Sequence, residues 1–150
     1  MKHSEASLGR IFVLRLEHDD SIPGIIEDFA KEKEINAALV YFLGGVQKDS
    51  KVVVGPQKEF HAKPVPMIQM LSGVTEAVGW GTIFTNEKGC PKLHLHASFG
   101  REQATITGCT REGVQIWHIG EVVVLELLTI SAVRKVNPDN GFELLELETP

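Results

Sequence analysis

The spacing of apolar residues changes from a strand pattern to a helix pattern near the start of the chain. Residues 9–17 are rich in β-branched and other apolar side chains and predict a first β-strand. In residues 19–34 apolar side chains recur at i, i+3, i+4, i+7 and i+8, as on one face of a helix. They are Ile22, Ile25, Ile26, Phe29 and Ala30. Asp20 or Ser21 is suited to cap this helix, and Pro23 is tolerated in its first turn.

The remainder of the sequence consists of short apolar runs separated by glycines, which is typical of β-strands. The predicted strands cover residues 37–43, 51–54, 67–71, 74–84, 92–99, 104–109, 114–128 and 142–147. No repeat, linker or low-complexity segment divides the sequence. We therefore predict one α+β domain over residues 1–150, in which one principal helix packs on a mainly antiparallel sheet. Its core is expected over about residues 9–130, with a C-terminal tail strand at about 142–147.

Composition agrees with a single folded domain. Of 150 residues, 43% are hydrophobic and 23% are charged, which is too apolar for a disordered chain. Two cysteines, Cys90 and Cys109, do not make a disulfide framework, and the N-terminal residues lack an apolar signal region. No apolar run approaches the roughly 20 residues that cross a bilayer. We therefore expect a protein of the reducing cytoplasm with no membrane partner.

The charge balance bears on nucleic-acid partners. The chain has 15 basic and 20 acidic residues, for a net charge of −5. Binding to a phosphate backbone depends on Lys and Arg, and here the basic residues are scattered, never closer than the pair Arg134 and Lys135. Charge therefore gives DNA binding no support, although it does not forbid a local basic patch.

Residues 92–99 carry the strongest chemical signal. On a strand, alternation sends His94 and His96 to one face and the apolar residues around them to the other. The two histidine Cα atoms would lie about 7 Å apart, so both rings can reach one cation. A solvent-facing strand with two polar residues would show the same pattern.

Cys109 joins the two histidines if residues 101–104 form the turn of a hairpin. In that register Cys109 lies opposite His96, with Cβ atoms about 5 Å apart. Two imidazoles and a thiol suit Zn²⁺, with a fourth position left for water, a substrate or a residue of another chain. A slip by one residue would instead bring Gly108 or Thr110 opposite His96 and make Cys109 an ordinary buried apolar residue. The turn has no Asn-Gly signature, so the sequence leaves the register open.

Other candidate residues carry weaker signals. A second turn at residues 111–112 would place His118 opposite Thr105, about 13 Å along the strand from Cys109, which favours a core or interface histidine. Cys90 reaches the cluster only if its loop folds back. The remaining histidines are expected to be surface or loop residues without a role; they are His3, His18 and His61. The run Gly79-Trp80-Gly81 lacks the strand-to-helix context of a phosphate site.

Three carboxylates lie in apolar strands: Glu76, Glu121 and Glu126. A glutamate in a strand usually faces solvent, but Glu121 begins the most hydrophobic run of the chain, and Glu126 lies within it. If it is buried, Glu121 needs a partner such as an arginine, a histidine or a metal-bound water.

Several short features follow one another along the chain in a recognisable order. They are the strand at 10–16, the helix, the strand at 37–45 with its double glycine, Leu71-Ser72-Gly73, His94-Leu95-His96 followed by Ala97-Ser98-Phe99-Gly100, Thr107-Gly108-Cys109, and a terminal strand from Glu121 to Val124. In this order the chain resembles the plants-and-prokaryotes conserved (PPC) domain family over most of its length. No single motif is highly specific, so the order of the pieces carries the resemblance.

The resemblance implies an α+β fold assembled as a homotrimer. In prokaryotic members a His-x-His strand and a later Gly-Gly-His segment resemble a metal site, which corresponds here to His94, His96 and residues 107–109. Cys109 stands where the third histidine is expected. A thiolate would keep zinc binding, whereas loss of this ligand would leave a weak pair of imidazoles.

Subunit contacts in a homotrimer would also cover open sheet edges and apolar faces. Trp80 and Trp117 are candidates for such contacts, but core packing is the favoured assignment for each.

The functional expectation is a homotrimeric, DNA-binding or regulatory protein of the PPC type, with a zinc site at His94, His96 and Cys109. Plant members carry an AT-hook that this sequence lacks, and residues 65–70 retain almost none of the plant interaction motif. A small-molecule ligand at the metal is also compatible with the pattern. The alternative is a small zinc-dependent hydrolase that uses the open metal position, with Glu121 or Glu126 as base.

Overall fold

The computed structural model describes residues 1–58 and 63–147, and its strands follow the period-2 alternation of the sequence. The strands are β1 (Ser7–Glu17), β2 (Ser21–Ile22), β3 (Ala37–Val46), β4 (Lys51–Pro56), β5 (Pro66–Met70), β6 (Thr75–Thr85), β7 (Pro91–Arg101), β8 (Ala104–Cys109), β9 (Val114–Leu128), β10 (Ala132–Val136) and β11 (Glu143–Leu147). The helix α1 spans Gly24–Glu32, and a 3₁₀ turn spans Thr110–Glu112. His61, expected at the surface, lies outside the described residues.

Within the described residues, most strands belong to one large sheet of order β1, β9, β3, β6, β7, β8, β4, β5, with β2 beside β9. Every pair of neighbours in it is antiparallel. The predicted α+β class is therefore confirmed. No helix in the described part of the chain is both long and apolar enough to cross a bilayer.

One face of this sheet and the helix α1 form the core. Ile26 and Ala30 of α1 are fully buried in the same cluster as Val40 of β3, Leu95 of β7 and Val124 of β9. These strand residues alternate with more exposed ones, as the sequence pattern predicted. We call the sheet face that packs on α1 the inner face and the opposite one the outer face.

The helix is shorter than its apolar pattern predicted, because the first apolar residue of the pattern belongs to the sheet. Ile22 pairs with Val114 in β9, so α1 begins only after Pro23, which is its N-cap without a side-chain hydrogen bond. The predicted caps are wrong: Ser21 is in β2, and the Asp20 carboxylate accepts a hydrogen bond from the Glu17 N–H at 2.8 Å.

The two carboxylates of β9 have different surroundings. Glu121 is exposed, so it does not need the buried partner considered for it. Glu126 is buried, and its carboxylate accepts hydrogen bonds from Arg10 through Nε at 2.7 Å, Nη2 at 2.7 Å and the backbone N–H at 3.1 Å. This ion pair ties β1 to β9, and its hydrogen bonds lower the pKa of Glu126.

Glu126→Gln is expected to make folding less sensitive to acid. Because the folded pKa of Glu126 lies below its ordinary value of 4.5, its stabilisation is present above that pH and is lost as pH falls through the folded pKa. The free energy of unfolding in urea should be measured between about pH 3 and pH 7. We expect the variant to be less stable than the wild type at neutral pH, and the difference in free energy of unfolding between them to become smaller in acid. Glu17→Gln, at an exposed carboxylate, is the control. A gap independent of pH would contradict this interpretation.

The outer face carries exposed apolar side chains. They are Ile11, Val13, Tyr41, Leu43, Val78 and Trp80. Cross-strand pairing makes them neighbours, since Val13 and Tyr41 both pair with Val123 and Tyr41 also pairs with Trp80. Trp80 is 60% exposed and Trp117 is 38% exposed, so the core positions favoured for both tryptophans are wrong.

The C-terminal strand forms a separate hairpin. β11 begins at Glu143 and pairs with β10, and neither strand joins the large sheet. A parallel bridge between Asn86 and Arg134 and a hydrogen bond from Arg134 Nη2 to Thr82 Oγ1 at 3.0 Å attach this C-terminal hairpin to the end of β6. Thr82 pairs with His94, so the hairpin lies beside the histidine strand.

Candidate metal centre

β7 and β8 have the register on which the predicted cluster depends. Arg101 pairs with Ala104 across the turn, and His96 pairs with Cys109. Alternation buries Leu95 on the inner face and leaves His94 and His96 exposed on the outer face, as predicted. The one-residue slip that would turn Cys109 away from the histidines does not occur.

The three side chains converge on one point. His94 Nε2 lies 3.0 Å from His96 Nε2, and the two rings meet edge to face with centroids 4.8 Å apart. The Cys109 Sγ completes a group whose ligand atoms all lie within 4.8 Å of one another. Cys109 is 2% exposed, yet its sulfur faces the two rings, so it is more than an ordinary packing residue.

Both rings are partly desolvated although each side chain keeps an exposed surface, and desolvation together with nearby positive charge favours their neutral form at physiological pH. Burial lowers the pKa of His94 to about 4, and the neighbouring charges of His96, Arg134 and Arg111 act in the same direction. Burial and the charge of Arg111 also lower the pKa of His96. A neutral imidazole offers a free lone pair, which is the form that binds a metal ion.

The donor set fits a tetrahedral ion. Around Zn²⁺, with bonds of about 2.0–2.3 Å, neighbouring ligand atoms are about 3.3–3.6 Å apart. The 3.0 Å separation of His94 Nε2 and His96 Nε2 is slightly shorter than this, and all three ligand atoms lie within 4.8 Å of one another. Two imidazoles and one thiol are borderline-soft ligands, and they leave one coordination position for a further ligand.

Two cavities border the cluster. One, of about 560 Å³, is lined by His94 and Cys109 together with residues of the C-terminal hairpin, and we call it the hairpin cavity. The other, of about 470 Å³, is lined by His96, Cys109 and residues of β4. Arg111 lines both, and its Nε donates to Cys109 Sγ at 3.2 Å. A ligand in either cavity would therefore lie next to the candidate metal ligands.

Close packing between β6 and β7 holds the histidine strand in place. Gly81 pairs with Leu95, and a Cβ atom at Gly81 would lie 2.5 Å from the carbonyl oxygen of His94. A side chain there would push away the backbone that carries His94. The Gly79-Trp80-Gly81 run, which does not match a phosphate loop, thus has a packing role in β6.

The weaker sequence candidates lie outside the cluster. His118 is not opposite Thr105, because β9 pairs with β1 and β3 instead of β8; its exposed position also rules out the core. Its backbone N–H donates to His18 Nδ1 at 3.1 Å. Cys90 is exposed, with its sulfur 3.9 Å from the Lys88 carbonyl oxygen.

The glutamates considered as catalytic bases are also remote from the histidines. Glu121 and Glu126 lie on β9, and β3 and β6 separate that strand from β7. At about 4.8 Å per strand, three steps put β9 about 14 Å from β7. Neither carboxylate is therefore placed to activate a water bound at the cluster.

Sequence reasoning missed the two arginines of the site. Arg111 lies in the 3₁₀ turn after β8, and Arg134 comes from the C-terminal hairpin. The one available signal was the pair of basic residues at 134 and 135, but the sequence does not show that this pair packs beside the histidine strand.

Comparison with solved structures gives independent support for the fold. A plant- and prokaryote-conserved (PPC) protein from Pyrococcus horikoshii is 23% identical, with a TM-score of 0.82 and complete coverage of both chains. A metal-containing protein from Archaeoglobus fulgidus is 25% identical, with a TM-score of 0.80 over 96% of this chain and 98% of that one. A protein from Bacteroides thetaiotaomicron, described as a candidate DNA-binding protein, is 20% identical, with a TM-score of 0.76 over 96% of this chain and 99% of that one.

Sequence comparison defines the family. None of the curated proteins matches the chain. The family model that describes the Plants and Prokaryotes Conserved (PCC) domain matches residues 3–128, which include α1 and the strands of the large sheet. The chain therefore belongs to the Plants and Prokaryotes Conserved domain family, the PPC family of the sequence-based expectation.

Proposed function

We propose that the protein is a homotrimeric regulatory protein of the PPC family that holds one zinc ion per subunit through His94, His96 and Cys109. The observation that carries this proposal is the convergence of two ring nitrogens and one sulfur within 4.8 Å. The name of the Archaeoglobus relative, a metal-containing protein, supports a metal-bound state in a protein of the same fold.

Zinc is the metal favoured by the donor chemistry. A thiolate and two neutral imidazoles suit Zn²⁺, whereas Mg²⁺ and Ca²⁺ prefer oxygen ligands. When bound, the ion supplies an electrophilic centre with one open position for a ligand donor atom. His94 and His96 would bind it through Nε2, and Cys109 through Sγ.

The outer face supports assembly with further copies of the chain. Val13, Leu43, Val78 and Trp80 are each more than half exposed and lie on β1, β3 and β6 of the sheet, with β9 between β1 and β3. Contiguous exposed apolar surface of this kind marks an interaction site in soluble proteins. A closed trimer would cover this surface without leaving an open-ended chain of contacts.

Elemental analysis of the purified protein tests the proposed site. We expect about one zinc per chain, and X-ray scattering at the zinc edge from crystals should place the ion between the three side chains. A screen with hydrolase substrates separates the proposed role from the hydrolase alternative. Zinc without turnover supports a binding protein, whereas zinc-dependent turnover that His96→Ala abolishes would contradict it.

A DNA-associated role is the second part of the functional proposal, supported by the description of the Bacteroides neighbour as a candidate DNA-binding protein. The net charge of −5 argues that any such role does not depend on direct contact with arbitrary duplex DNA.

We predict negligible affinity for random duplex DNA at physiological salt. Non-specific binding proteins reach dissociation constants of about 10⁻⁴–10⁻⁶ M through phosphate contacts, and an acidic chain should bind more weakly. Fluorescence anisotropy with a labelled duplex of random sequence, measured at several salt concentrations, checks this. A submicromolar isotherm that weakens with salt would overturn the prediction.

A further inference from the structure

The guanidinium of Arg134 is buried beside the candidate metal site and incompletely paired. Arg134 is 6% exposed, and its Nη2 donates to Thr82 Oγ1 at 3.0 Å. Its Nε has no hydrogen-bond partner among the described residues. The guanidinium lies 5.9 Å from the centre of the Phe84 ring. Because a buried charge is costly unless it is paired, an anion in contact with this guanidinium would be stabilised.

The charged residues that line the hairpin cavity favour a bound anion. Three basic residues line it, as do two acidic ones, Glu27 and Glu143. Glu27 is already engaged, since its Oε2 accepts from Lys92 Nζ at 3.1 Å and its Oε1 from the Leu93 N–H at 3.0 Å. The remaining basic residues, Arg111 and Arg134, face the single exposed carboxylate of Glu143. One further negative charge would therefore be stabilised in this cavity.

The other cavity walls define the rest of the ligand. Apolar side chains lie beside the charged ones; they are Pro23, Leu93, Phe142 and Leu144. The volume of about 560 Å³ is within the range of small-molecule sites, about 300–1,000 Å³. A planar guanidinium matches a carboxylate in shape and charge, while the apolar walls favour a short hydrocarbon body.

We propose that the hairpin cavity binds a small carboxylic acid, whose carboxylate pairs with Arg134 and Arg111 while its apolar body lies against Phe142 and Leu144. This inference deepens the proposed function, and it rests on that function only for the zinc ion beside the bound acid. The two arginines belong to the 3₁₀ turn and the C-terminal hairpin, so they offer an anion site whether or not the ion is present.

Isothermal titration calorimetry with butyrate tests this inference on the full chain, because it measures binding to the wild-type protein and to every variant in the same way. We expect saturable binding to the wild-type protein and at least tenfold weaker binding to Arg134→Lys. Arg111→Met is a second variant at an exposed position, and it should also weaken binding. Lys135→Met, on the neighbouring exposed residue of β10, is the matched control and should bind as the wild type does.

The outcomes separate this inference from the metal proposal. Butyrate binding that the two arginine variants leave unchanged, or no butyrate binding by zinc-loaded protein, would overturn the carboxylate site and leave the zinc site standing. Tight binding of inorganic phosphate in place of butyrate would overturn the ligand class. Binding by Cys109→Ala protein that has lost its metal, still dependent on Arg134, would support the anion site on its own.

Discussion

Alanine in place of His94 or His96 is expected to remove zinc from the purified protein. Each substitution takes away one of three protein ligands, whereas loss of a residue that only supports a ligand already weakens metal affinity about 10–100-fold. We therefore expect at least a 100-fold loss of zinc affinity for each histidine variant. Cys109→Ala should weaken binding strongly, because the remaining pair of imidazoles is a poor site. Competition with a chromophoric chelator measures these affinities.

Ser98→Ala is the control for these variants. Ser98 lies on β7 two residues beyond His96, and its hydroxyl is 2.8 Å from the Thr107 hydroxyl and outside the metal group. Its removal changes the same strand and the same face, yet it should leave zinc content and affinity at the wild-type level. Unchanged metal in all three ligand variants would refute the site.

Val13→Glu is expected to convert the proposed trimer to monomers. Val13 is 78% exposed at the centre of β1, where it pairs with Val123 on the outer face. A carboxylate there would lose its hydration if another subunit covered the face, and the cost of burying an unpaired charge exceeds what the contact gains. Light scattering after size exclusion should give three times the 16.5 kDa of one chain for the wild type and that single mass for the variant.

The control for this experiment is Lys31→Glu, a charge change on the exposed side of α1, away from the outer face. It should leave the proposed trimer intact, and both variants should retain the wild-type far-ultraviolet circular dichroism. Wild-type protein that runs as a monomer at all concentrations would contradict the assembly, as would a Val13→Glu variant that remains trimeric.

The cluster was predictable from the sequence because its residues are near neighbours in the chain. One hairpin joins His96 to Cys109, and alternation alone places His94 on the same face. What the sequence left open was the register, since the turn at residues 101–104 has no strong signature. The pairing of Arg101 with Ala104 decides it.

The errors of the sequence-based interpretation come from contacts between distant segments. His118 was placed by assuming that β9 pairs with β8, but β9 lies between β1 and β3. Ile22 continues the helical spacing, yet pairing with Val114 makes it part of a strand. Trp80 was assigned to the core, whereas its position in β6 puts it on the outer face. Spacing along the chain cannot show which strands become neighbours.

The C-terminal hairpin supplies residues of the cavity wall, whereas the candidate metal ligands lie on strands of the large sheet. The match to the family ends at residue 128, whereas Arg134, Phe142 and Leu144 come from the segment that follows. Substitutions in that segment alter which small molecules are accepted, while the histidine strand and its register stay as they are. A short C-terminal segment of this chain can thus set the ligand preference of the cavity without any alteration of the strands that hold the candidate metal ligands.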